Sequence, residues 1–190
     1  MANVSEDLVR EFLELNEFTV KIHRKHTLMG SRRDALDEIG MIAANSNSVT
    51  EPAKGLLLGR PDIGHVDRAV VGVRGWHSET FSPSRLKSSP EIFNLAQLDE
   101  KKIREKFFQG ESFKRVLVIP SLPSDANTRR EALQIFVDKG IDHILEFKVI
   151  IEDLIDRVQV QRNYAESSTL QLIRILKCYD LLRDPQLELF

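Results

Sequence analysis

Asp62, His65 and Asp67 stand in the order D-x-x-H-x-D. Two carboxylates and an imidazole are donors that a divalent ion accepts, but a closed metal site takes three or four protein ligands. Neither His65 nor His77 has a second histidine or a cysteine at ligand spacing. A turn former at Asp62 and a strand-end cap at Asp67 therefore stand beside the metal reading. Glu11 borders the apolar arc of an N-terminal helical pattern, and Glu14 sits farther round on its polar face. Of the two, Glu11 is the carboxylate able to point inward. Lys21, Arg24, Lys25, Arg32 and Arg33 form a basic stretch with no acid between them. Five phosphate contacts would give salt-sensitive nucleic-acid binding, and the alternative is a charged loop that keeps a sheet edge soluble. The stretch lacks interleaved aromatics, so a base-stacking surface is not expected.

Nucleophile and phosphate motifs are missing from the chain. It has no G-x-S-x-G elbow, no P-loop and no G-x-G-x-x-G. Ser121 follows an apolar run but stands between prolines, without a helix starting directly after it. Cys178 lies among Leu176, Tyr179 and Leu181, which reads as core rather than as a nucleophile. Trp76, His77, Phe81 and Arg85 either line a cleft or close the end of a core.

The elements that must position these groups can be read from periodicity. Ser5 is a candidate helix cap, with Glu6 and Asp7 placed well against the dipole and Leu8, Val9, Phe12, Leu13 and Leu15 on one face. Phe18, Val20 and Ile22 alternate with polar residues as a half-buried strand. The run from Ile39 to Ala44 is a short strand weakened by Gly40, and Arg68 to Arg74 is a central strand. Prolines and serines across residues 75–95 read as an irregular excursion. Leu98 to Phe108 reads as a helix, Val116 to Pro120 as a buried strand, and Thr128 with Glu131 as a capping box for the next helix. Ile141 to Phe147 is a last strand, followed by two helices through Leu154 and Ile173. Early strands in succession predict antiparallel pairing, and the later strand-helix-strand unit predicts a parallel crossover. The fold class is thus α/β, a mixed β-sheet flanked by helices, with a C-terminal helical extension. The extension carries more apolar surface than a covering layer needs, which suits either a covering hairpin or a homodimer face.

Composition sets the outer limits. The 190 residues hold 27 basic and 29 acidic side chains, so the net charge of −2 excludes a uniformly basic nucleic-acid coat. Length and composition suit a single domain, with a core over about residues 5–147 and C-terminal helices over 148–190. A lone cysteine excludes an internal disulfide and fits a reducing compartment. The N-terminal MANVSEDLVREF lacks the basic flank and apolar run of a signal peptide, and no apolar stretch approaches a membrane span. A cytoplasmic protein without a membrane partner is expected.

The order αβββαβ over about residues 5–147 resembles the core of the PD-(D/E)XK, or restriction-endonuclease-like, superfamily. In that family a helix acid, an Asp on the second strand and a Glu-x-Lys on the third converge on Mg²⁺. The metal activates water and neutralises the scissile phosphate. Val71-Gly72-Val73-Arg74-Gly75 aligns with a family pattern V-E-V-K-G, and Asp37 to Asn45 aligns with the second strand. Gly40 then stands at the Asp position, Gly72 at the Glu and Arg74 at the Lys, with both glycines facing one groove. Arg74 keeps a positive charge but cannot accept a proton, and its planar fork suits phosphate. The literal Pro61-Asp62 lies too close to Gly72 for a strand and a turn to fit between them. The resemblance implies a module that has lost catalysis and binds nucleic acid or a protein partner, without a cofactor. A second reading keeps an active nuclease on Glu11, Asp62, Asp67 and Arg74, holding Mg²⁺. A third is an assembly protein that works through its C-terminal helices. The family's acid can migrate to a neighbouring helix, which leaves Glu91, Glu100 and Glu105 as further candidates.

Overall fold

A computed structural model of the chain describes residues 4–23, 39–48, 51, 53 and 55–182. Helix α1 (Val4–Leu15) leads into strands β1 (Thr19–Ile22), β2 (Met41–Ala44) and β3 (Arg68–Val73), with a 3₁₀ turn at Arg60–His65 before β3. Helix α2 (Pro83–Ser88), a 3₁₀ segment (Pro90–Gln97) and α3 (Glu100–Phe107) precede β4 (Lys114–Ile119). The chain continues through α4 (Ala126–Asp138), β5 (His143–Glu146), α5 (Phe147–Arg157) and α6 (Ser168–Cys178).

The five strands make one mixed sheet in the order β1-β2-β3-β4-β5. Strands β1, β2 and β3 pair antiparallel, while β3, β4 and β5 pair parallel. Alternation along β3 sends Ala69 and Val71 to one side and Val70 to the other, so both faces are buried. The first face packs on α1, α5 and α6 through Val9, Phe12, Ile150, Leu154, Leu170 and Ile173. The second packs on α2, the 3₁₀ segment, α3 and α4 through Leu86, Leu95, Ile103, Ala132 and Phe136. Phe12 and Phe136 are fully buried, one in each layer. Truncating either to alanine would cost about 3–5 kcal/mol. Among the described residues, no helix is long and apolar enough to cross a membrane.

The structure departs from the sequence reading in several places. The region 75–95 is not wholly irregular: Ser82 accepts the Arg85 N–H, Pro83 opens α2, and Pro90 opens the 3₁₀ segment. Proline at the first helical position is pre-shaped for a helix, so these prolines start elements rather than break them. Helix α4 is capped by Asp125, whose carboxylate accepts the Thr128 N–H and hydroxyl, and not by a Thr128–Glu131 box. Strand β2 starts at Met41, two residues later than expected. Cys178 is exposed instead of core, because α6 buries only its Leu170 and Ile173 side.

Candidate functional site

Parallel strands of an α/β sheet present their carboxyl ends as the usual place for a ligand. At this end of the sheet lie Arg74 and Gly75 after β3, Glu146 at the end of β5 and Gly40 before β2. The first turn of α1 closes over them from one side and the 3₁₀ segment from the other.

The aligned glycines do not share a groove. A Cβ on Gly72 would come 3.2 and 3.3 Å from the methyls of Leu95 and Leu117. A Cβ on Gly40 would instead point into the α1 layer, 3.2 Å from the Val71 carbonyl and 3.9 Å from a Glu6 carboxylate oxygen. The cause is a one-residue irregularity. Gly40 donates its N–H to the Val71 carbonyl, yet Met41 is the residue paired with Val71. Two residues therefore face one, and Ile39 packs in the same layer as Ile42 rather than alternating to the other.

Arg74 follows Gly72 into the second layer. Its Nη2 donates to the Glu91 and Ile92 carbonyls at 3.1 and 3.2 Å, tying the 3₁₀ segment to the end of β3. The other sequence candidates are held elsewhere. Asp67 sits at the opposite end of β3, roughly 20 Å from Arg74 at the rise of an extended strand. Its two oxygens accept from the Arg68 N–H and Nη1 at 2.7 and 2.8 Å, which is the strand-end role. Asp62 accepts the Gly59 N–H at 2.8 Å inside the 3₁₀ turn. His65 closes the Arg60–His65 turn and donates from Nδ1 to the Glu51 carbonyl, so the three side chains of D-x-x-H-x-D have separate structural partners.

Glu11 belongs to a different concavity. A cavity of about 430 Å³ lies between α1 and the α5–α6 connection, lined by Arg10, Glu11, Glu14, Tyr164, Ser167 and Leu170 among others. Glu11 is buried and accepts from Arg10 Nη2 at 3.0 Å, and this bond is the main reason the guanidinium pKa is raised. Burial lifts the Glu14 carboxyl above its ordinary range, with Arg10 opposing. Among the described residues, no group of three or more His, Cys, Asp or Glu side chains is placed to hold an ion. The corner at Gly72 and Arg74 does not fit Mg²⁺, since hydrocarbon occupies the place beside Gly72.

Of the basic stretch, Lys21 is exposed on the edge strand β1, while Arg24, Lys25, Arg32 and Arg33 lie outside the described residues. Trp76 closes the end of the core: it packs near Phe81 at 5.7 Å and carries the Arg85 guanidinium 5.2 Å above its ring. Sequence reasoning missed one constellation at this end. Ser5 Oγ and His77 Nε2 lie 2.9 Å apart, and His77 meets Phe147 edge to face at 4.5 Å. A Cβ on Gly75 would fall 2.5 Å from Ser5 Oγ, so the approach requires glycine there. The 72-residue separation of Ser5 and His77 hid the pair. Glu6, read from sequence only as a dipole partner, brings a carboxylate oxygen to 3.9 Å from the Cβ position of Gly40, just before β2.

The architecture is a three-layer α/β protein with an open, mixed, five-stranded sheet. Compared with known proteins, the chain matches no family model, no curated protein and no solved structure.

Proposed function

We propose that this chain is a restriction-endonuclease-like domain that has lost hydrolysis and acts by binding nucleic acid through the stretch from Lys21 to Arg33. The packing at Gly72 carries the first half. A carboxylate at that position would sit between Leu95 and Leu117, without the water and oxygen ligands Mg²⁺ keeps. Arg74, at the lysine position, donates to the Glu91 and Ile92 carbonyls instead of standing by for a phosphate. The family reading is supported by α1 followed by the antiparallel β1-β2-β3, then by helices α2 and α3 and a β4 parallel to β3. An active nuclease on Glu11, Asp62, Asp67 and Arg74 lacks that support, because these side chains lie on separate elements with structural partners.

The binding half rests on five cations without an intervening acid, with Lys21 exposed at the outer strand. Anisotropy with labelled single- and double-stranded DNA and RNA, across a salt series, tests it. Five neutralised phosphates give a log–log salt slope of roughly −3.5 to −4.5. Glutamine at Arg24, Lys25, Arg32 and Arg33 should flatten that slope. Absence of binding at low salt, or an unaltered slope in the variant, rejects the nucleic-acid reading. Cleavage that depends on Mg²⁺ or Mn²⁺ rejects the loss of hydrolysis.

One observation favours assembly as a second reading. Leu172 and Ile175 on the outer side of α6, with Tyr179 and Leu181 beyond it, are 42–74% exposed. Large apolar side chains gathered on one surface are the usual mark of an interface. Light scattering at rising concentration should then show a dimer that Leu172→Glu dissociates. A monomer at every concentration rejects this reading.

A further inference from the structure

The sheet does not end in a bare edge at β5. Residues 55–58 run alongside it: Leu58 N–H donates to the Ile144 carbonyl at 2.9 Å, and Ile144 N–H donates to the Leu56 carbonyl at 2.7 Å. Leu57 and Ile144 make an isolated parallel bridge. The segment straddles the edge, with Leu58 fully buried in the α1 layer while Leu56 and Leu57 lean on the opposite one. Gly55 begins it in the left-handed region, at φ +90°, where a residue with a side chain would be strained.

A side chain from β5 adds a third bond. His143 Nδ1 lies 3.0 Å from the Gly55 carbonyl. A carbonyl only accepts, so Nδ1 carries a proton, as it does in both the neutral Nδ1–H ring and the imidazolium. His143 is 6% exposed. Its pKa is lowered, with burial the largest cause and the bond to Gly55 opposing it. The charged groups that act on it are Asp142 beside it, Lys114 at the start of β4 and Asp62 from the 3₁₀ turn. Asp142 already accepts the Arg115 N–H, and Asp62 the Gly59 N–H. Both carboxylates favour the imidazolium and Lys114 disfavours it, but desolvation outweighs them.

We propose that residues 55–58 form an acid-released strap over the β5 edge, latched by the bond from neutral His143 to Gly55. Charging the ring in place costs more than its bond to Gly55 recovers, so the protonated side chain is stabilised by opening to water. Gly55, whose carbonyl meets the ring, lies in its way. Release frees the N–H and C=O of Ile144, the groups that pair with the strap, and leaves an edge able to accept another extended segment.

Amide hydrogen exchange on the whole chain, at neutral and mildly acidic pH and corrected for intrinsic chemistry, tests this. Leu58 and Ile144 should lose protection severalfold on acidification, while Val70 and Leu117 in the central strands keep theirs. His143→Gln retains an amide donor without a titrating group and should abolish the difference. A ¹³C label at the imidazole should titrate with a midpoint matching strap opening, a readout that uses the unmodified sequence. Equal protection of Leu58 at both pH values overturns the proposal. So does a loss shared with Val70 and Leu117, which marks global unfolding, or the same loss in His143→Gln.

Discussion

Gly40 and Gly72 look to opposite sides of the sheet: the first toward Glu6 and Val73 beside α1, the second toward Leu95 and Leu117. In a regular pair of strands their neighbours in register would share a face. The doubled pairing at Val71 turns Gly40 over and separates the two positions by the thickness of the sheet. A metal corner needs both positions on one face.

Placing an acid at Gly72 should therefore not build a metal site. Gly72→Glu places a carboxylate against two leucine side chains and is expected to destabilise the fold by roughly 3 kcal/mol or more. Urea denaturation measures the loss, and a metal titration should show no ion gained. A variant as stable as the parent chain would show that the side chain finds water.

Gly75 answers to a different constraint. An added methyl falls 2.5 Å from Ser5 Oγ and 3.1 Å from Ser5 Cβ, so Gly75→Ala is expected to cost about 1–3 kcal/mol by overpacking. Ser5→Ala removes the nearer of these contacts along with the bond to His77, a loss of about 1 kcal/mol. The double variant should lose less than the sum of the two, because the clash disappears with the hydroxyl. Additive losses in thermal or urea melts would show that the backbone at Gly75 yields instead.

The end of α1 is joined to α5 by a small polar network. Arg157 donates to the Leu15 carbonyl at 3.1 Å, to Asn16 Oδ1 at 2.8 Å and to Asp153 at 2.8 Å, while Asn16 Nδ2 donates to Asp153 at 3.3 Å. Asp153 is buried and Arg157 half in water, so screening reduces the pair's contribution. Asp153→Ala is expected to cost about 2 kcal/mol and Asn16→Ala about 1 kcal/mol. A double-mutant cycle in urea should return a coupling between them, and independent effects would count against a shared network.

Helix α4 supplies the acid-limb prediction. The Thr128 N–H, then its hydroxyl, hold the Asp125 carboxyl below its ordinary pKa of 3.8. A depressed folded value means that the unfolded chain takes up the proton first. The cap's contribution is then whole above the unfolded pKa and disappears as pH falls through the folded one. Asp125→Ala should lower the melting temperature at neutral pH. Asp125→Asn should keep much of the cap and show a shallower acid limb. Parallel acid limbs in the parent chain and Asp125→Asn would show that other carboxylates dominate.

Much of the fold was legible because it depends on short-range periodicity. The apolar runs at Val70 and Leu117 announced strands buried on both faces, and the strand-helix-strand order announced the parallel pair β4 and β5. Alternation also placed Gly72 and Arg74 on the face of Val70 correctly. Asn16, Gly110 and Gly140 stand at or just beyond the ends of α1, α3 and α4, as capping chemistry leads one to expect. The candidate site was less legible. Whether Glu11 or Glu6 approaches the strand ends depends on how α1 lies across the sheet. Nothing local in VSEDLVREFLEL reveals that.

Residue order alone determined the α/β class, the antiparallel-then-parallel strand sequence and the helices on both faces, since each follows from side-chain period and chain length between elements. The tertiary structure decided what sits beside what: Ser5 against His77, Gly72 against Leu95, His143 under Gly55. Those contacts arise between residues far apart in the chain, where one extra residue in a strand or a small rotation of a helix changes the partner without changing the pattern.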